Sequence, residues 1–197
     1  RFGHAAELLP DGGVLVAGGQ NTQQLATAER FPGNTPPVML PPRQTLRLGT
    51  LRQLTVPVTI SYPLAVDPDG VARYNLRRRT NGGEFQPVAL PTPTTATLVE
   101  FLLPGRTHQY QVRATDQRGA ASQFVFGLQR ALVVANEEDG AITYTGDWTP
   151  LTNDAAFGGG LRRTATAGRH ATYTFTGRNV GWVTSKWPGQ GRAEIWL

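Results

Sequence analysis

The run Val14-Leu15-Val16-Ala17 constrains this chain more than any other stretch. Pro10-Asp11-Gly12-Gly13 precedes it and Gly18-Gly19 follows it. Proline sets φ at the first central position of a turn, and glycine accepts the positive φ that follows. A short, continuous apolar run between such signals reads as a strand buried on both faces. Leu8-Leu9 ends the strand before the turn, and Ala28 to Phe31 forms the strand after the glycines. So short a sheet cannot cover both of its own faces, and it needs neighbours.

With Arg1-Phe2-Gly3-His4 at its head, the segment 1–31 resembles one blade of a kelch propeller. Blades bury their faces against adjacent blades, and no second copy follows here. The resemblance implies further blades upstream and a structural position for His4. It also implies a glycine pair that lets neighbouring blades approach closely. At the other end, Ala193-Glu194-Ile195-Trp196-Leu197 stops as if inside a strand. Both ends predict a piece of a longer protein.

Residues 32–42 read as a linker, because Pro32, Pro36-Pro37 and Pro41-Pro42 favour extended, semi-rigid backbone. A second module follows over 43–130. Val56, Val58 and Ile60 alternate with Pro57, Thr59 and Ser61, the period of a half-buried strand. Asp67-Pro68-Asp69-Gly70 is a turn. Tyr74 and Leu76 share a face of the next strand, and Asn81-Gly82-Gly83 is a strong hairpin turn. Phe85 to Leu90, the Leu98 to Leu103 cluster and Phe124 to Leu128 are further strands. His108, Tyr110, Val112 and Ala114 alternate with Gln109, Gln111, Arg113 and Thr115. The elements Tyr74-Asn75-Leu76-Arg77, Leu103-Pro104-Gly105 and Tyr110 to Asp116 resemble a fibronectin type III domain. Tyr62 stands where that family carries a core tryptophan.

After a second linker over 131–138, a third module runs over 139–197. Tyr144-x-Gly146-x-Trp148 and Thr174-Phe175-Thr176-Gly177 resemble the first part of a jelly-roll module found at the ends of bacterial surface proteins. Such modules are related in architecture to carbohydrate-binding modules. The resemblance implies that Trp148 and Trp182 pack in a core. Strands are expected at Ala171 to Phe175, from Val180 and from Ala193, with a flexible Gly-rich loop at 153–160. The expected fold class is therefore all-β, with a partial propeller blade, a β-sandwich and a partial jelly roll.

Catalytic chemistry finds little to use. The chain has no cysteine, which excludes disulfides, thiolate metal sites and cysteine nucleophiles within it. His4, His108 and His170 lack metal-ligand spacing and read as surface or packing residues. Ser61, Ser122 and Ser185 lie in no nucleophile elbow. Gly158-Gly159-Gly160 lacks the Lys-Ser/Thr of a phosphate loop. Asp67 and Asp69 supply too few of the six to eight oxygens that calcium takes, so they read as caps of a tight turn. No metal or cofactor site is expected. The net charge of +5 comes from scattered arginines with a single lysine, Lys186, and no nucleic-acid-binding motif accompanies it. No apolar run is long enough to span a bilayer.

The expected function is a non-catalytic stretch of a large secreted or cell-surface bacterial protein. The blade and the sandwich serve as scaffold and spacer. The third module binds carbohydrate or another surface ligand, with Trp187, Trp196, Arg192 and Lys186 as contacts. An outward aromatic ring stacks on a sugar face while polar neighbours bond the hydroxyls. Trp196 shares strand parity with Arg192 and Glu194, which suits that role. An alternative comes from resemblance to propellers of the galactose oxidase type, which begin their blades similarly and carry an immunoglobulin-like domain afterwards. Those enzymes use copper and a cross-linked Tyr-Cys cofactor. With no cysteine here, such a site would lie upstream.

Overall fold

The computed structural model describes residues 2–10, 12–48, 55–185, 188–189 and 191–197. Its architecture is all-β, made of several small antiparallel sheets with no closed barrel.

Strands β1 (Phe2–Leu8), β2 (Val14–Gln20) and β3 (Ala28–Phe31) form a sheet in the order β1-β2-β3. The apolar run is the centre of this sheet, as its sequence predicts. Its residues are only half-buried, and Phe2, Leu8 and Phe31 are exposed. The strand also continues through Gly18-Gly19 instead of ending there. Gly19 has φ +86°, and a Cβ on it would lie 3.0 Å from the Phe2 carbonyl oxygen. In this structure the glycine therefore lets β1 approach β2 within one sheet.

The core lies in the next eight strands. One sheet has β4 (Arg43–Leu46), β5 (Val56–Ser61) and β8 (Thr97–Leu102) in the order β4-β5-β8. The other contains β6 (Val71–Thr80), β7 (Gln86–Val88), β9 (Arg106–Asp116) and β10 (Val125–Phe126) in the order β10-β9-β6-β7. Strand β11 (Arg130–Leu132) also pairs with β9. Val58, Ile60 and Leu102 from the first sheet meet Tyr74, Leu76, Tyr110, Val112 and Ala114 from the second in one buried cluster. The two sheets thus pack face to face in a sandwich-like arrangement. Each large apolar side chain buried here contributes about 1.5–3 kcal/mol. The alternation along β5 and β9 places these residues inside, as period two requires.

Turn chemistry sets the register. Asn81 and Gly82 have φ of 50° and 74°, and the Gly83 amide donates to the Thr80 carbonyl at 3.0 Å. Positive φ at both central residues matches the twist of the flanking strands, and β7 returns antiparallel to β6. The Pro-rich segment is tied to the sandwich. Met39 is part of the core, and Val38 exchanges both backbone hydrogen bonds with Val66. Gly127 lies so close to Pro42 that a Cβ would collide with the Pro42 carbonyl oxygen.

Beyond residue 139 the described residues form two separate ladders. Strand β12 (Ile142–Thr145) pairs with β15 (His170–Tyr173), and β13 (Thr149–Thr152) pairs with β14 (Gly160–Arg163). The Gly-rich stretch holds a short 3-10 turn, Phe157–Gly159, that closes the β13–β14 hairpin. The strands expected from Val180 and from Ala193 do not form among the described residues. Among the described residues no ladder partner is paired with either segment. Among the described residues the core contains nothing from this region.

Candidate functional site

The four expected carbohydrate contacts fare differently. Lys186 and Trp187 lie outside the described residues. Trp196 is 85% exposed, and Arg192 is exposed as well. Because 191–197 is not a strand, the common face expected for Arg192, Glu194 and Trp196 does not form. Trp182, expected in a core, is 60% exposed, and no sheet among the described residues covers it.

The Tyr144-x-Gly146-x-Trp148 segment, for which a core role is expected of Trp148, forms an aromatic cluster. Gly146, at φ +91°, turns the chain at the end of β12. The turn brings Trp148 against Tyr144, with ring centroids 5.3 Å apart. The Trp148 indole N–H donates to the Thr145 carbonyl at 3.3 Å. Arg162 stacks its guanidinium on the Tyr144 ring at 4.7 Å. Burial raises the Tyr144 pKa. Beside them Asp147 accepts from the Thr166 hydroxyl at 2.8 Å and pairs with Arg169 at 2.5 Å. Those two partners hold its carboxyl below the usual value. The signal was Tyr144-x-Gly146-x-Trp148 itself, read as core because isolated spacing does not say which side of a ladder is covered.

The sandwich carries the buried polar groups. Glu100 Oε2 accepts from the Tyr110 hydroxyl and from Arg78 Nη1, the latter at 3.0 Å. Burial first, then the Glu100 carboxylate, raises the Tyr110 pKa far above its ordinary value. His108, at the start of β9, has one ring nitrogen 3.3 Å from the Thr80 hydroxyl and the other 3.4 Å from the Leu103 carbonyl oxygen. On the outer side of this sheet, Arg77 and Arg113 both stack on Phe124, and Arg79 stacks on Phe85. A groove of about 340 Å³ lies between the edge strands β7 and β8, with Arg78, Glu100 and Phe101 among its walls.

A carboxylate group gathers where the β5–β6 loop meets the end of β9. Asp67, Asp69 and Asp116 each bring an oxygen within 4.8 Å of the others. The Asp69 amide donates to Asp67 Oδ1 at 2.8 Å, so the turn-capping role expected for Asp67 is present. Compared with family models and with curated proteins, the chain matches none. No helix among the described residues is long and apolar enough to cross a membrane.

Proposed function

We propose that this chain is a non-catalytic scaffold and binding segment of a secreted or cell-surface multidomain protein. The observation that carries the reading is the strand order β4-β5-β8 packed against β7-β6-β9-β10 over one core. That order suits a fibronectin type III-like spacer, since such domains share the two-sheet antiparallel sandwich. His108 supports it further. Its ring reaches back to Leu103 at the β8–β9 corner, where related sandwiches use a corner tyrosine.

The β1–β3 sheet, half-buried along β2 and exposed along β1 and β3, supports a propeller blade that completes its packing against other blades. Glu100 and His108 support a structural role, because their bonds close within the sandwich. Glu100 is held by Tyr110 and Arg78, and His108 by Thr80 and Leu103. Carbohydrate contact falls to the third module, where Trp196 is exposed and Trp187, Arg192 and Lys186 are near it in sequence.

A glycan array probed with the 197-residue chain tests the binding role. Selective glycan binding that Trp187→Ala and Trp196→Ala both reduce at least tenfold supports it. Selective binding that survives both substitutions moves the contact elsewhere. A blank array leaves a spacer without a carbohydrate ligand.

A further inference from the structure

Three carboxylates from two segments converge at one end of the sandwich, and Asn34 from a third segment touches one of them, Asp116. Asp67 and Asp69 come from the β5–β6 loop, Asp116 ends β9, and Asn34 belongs to the Pro-rich segment. Sequence spacing pairs only the first two. The fold adds Asp116, which is 1% exposed, and its neighbour Asn34.

The hydrogen bonds leave a pattern. Asp116 Oδ1 accepts from the Arg118 and Ala120 amides, each at 2.9 Å, and from Asn34 Nδ2 at 3.5 Å. Asp116 Oδ2 is fully buried and has no partner. Asn34 Oδ1 is likewise buried without a partner. Asp67 uses Oδ1 on the Asp69 amide, and Asp69 uses Oδ2 on Arg118 at 3.3 Å. Each of the four residues therefore keeps one oxygen outside these bonds.

Buried acceptors without donors are unfavourable, most of all on a carboxylate. A second acceptor of the same kind on a neighbouring segment cannot satisfy the first, because neither has a proton to give. A cation satisfies both together. The set offers oxygen alone, without nitrogen or sulfur, which suits a hard divalent ion. Charge points the same way. Of the three carboxylates only Asp69 has an ion pair among the described residues, with Arg118, and a dication brings these four charges to neutrality. Calcium accepts irregular oxygen sets completed by water, whereas magnesium demands near-octahedral geometry.

We propose that Asp67, Asp69, Asp116 and Asn34 form a calcium site that fastens the Pro-rich segment to the end of the sandwich. The site stands apart from the carbohydrate reading and does not depend on it.

The test is calcium titration of the chelator-treated 197-residue chain, followed by calorimetry and by thermal melting. One saturable site with Kd of about 0.1–1 mM, the range of extracellular modules, is expected. Saturating calcium raises the melting temperature, and magnesium at the same concentration raises it less. Asp116→Asn is buried and risks the fold, so Asp69→Asn and Asn34→Ala are the informative variants. Both should melt close to the parent without calcium, bind it at least tenfold more weakly and lose the thermal shift. Absence of saturable calcium binding in the parent overturns the proposal and leaves a turn neutralised by Arg118 alone. A calcium shift that both variants retain in full also overturns it.

Discussion

Tyr110 on β9 donates its hydroxyl to Glu100 on β8, a hydrogen bond that runs between the two sheets of the sandwich. The tyrosine has no exposed surface. Arg78 reaches the same carboxylate oxygen from β6. Tyr110→Phe keeps the ring and removes the donor. The expected cost is about 1–3 kcal/mol, because a partly buried charged acceptor loses one of its two partners. Urea denaturation reads this as a lower midpoint at constant slope. An unchanged midpoint would show that Arg78 alone satisfies Glu100.

Ile60 has no exposed surface and sits among Val58, Tyr62 and Leu102. Ile60→Ala is expected to cost about 2–5 kcal/mol, the range for an aliphatic truncation that leaves a cavity. The same substitution at Leu48, which is 95% exposed, should cost less than about 0.5 kcal/mol. Equal losses at the two positions would mean that the core is not where the structure places it.

His108 gives the sandwich a pH dependence. Burial lowers its pKa from the ordinary 6.5, opposed by the Leu103 carbonyl and by Glu100, and reinforced by Arg78 and Arg106. The unfolded chain therefore takes up the proton first as pH falls. The stability tied to neutral His108 is whole above the unfolded pKa and is lost as pH drops through that value towards the folded one. Between about pH 7 and pH 5, His108→Gln should flatten the fall in unfolding free energy. Parallel curves for the two proteins would assign the dependence to other groups.

Gly127 tests the contact with the Pro-rich segment. Its φ does not require glycine, but a Cβ would collide with the Pro42 backbone. Its amide also holds the Tyr110 carbonyl at 2.9 Å. Gly127→Ala must displace one of those segments, at an expected cost of about 1–3 kcal/mol. Thermal melting measures it. A neutral result would show that Pro42 moves away without loss.

Local pattern and long-range convergence were not equally legible in the sequence. The alternation in β5, β6 and β9, and the Asn81-Gly82 turn, are properties of neighbouring residues, so period and φ preference sufficed. Met39 was hidden, because a proline-rich stretch gives no sign of which side chain turns inward. Gln111 and Thr115 are buried on the face read as polar. Arg77, Arg113 and Phe124 lie over that outer side of the sheet. Trp182 and Ile195 have strand-like neighbours in sequence, but a strand requires a partner as well as a pattern. Asp116 and Asn34 are separated by most of the sandwich in sequence, and only the return of β9 brings Asp116 both to Asn34 and to the β5–β6 loop that carries Asp67.

The paired amides of Val38 and Val66 have a mechanical consequence. Tension travelling along the chain from β3 reaches this pair, and Met39 behind it, before it reaches β4. A pull from that side is thus received by the loop preceding β6 as well as by the edge strand. The load is shared between the two sheets at the point where the chain enters them.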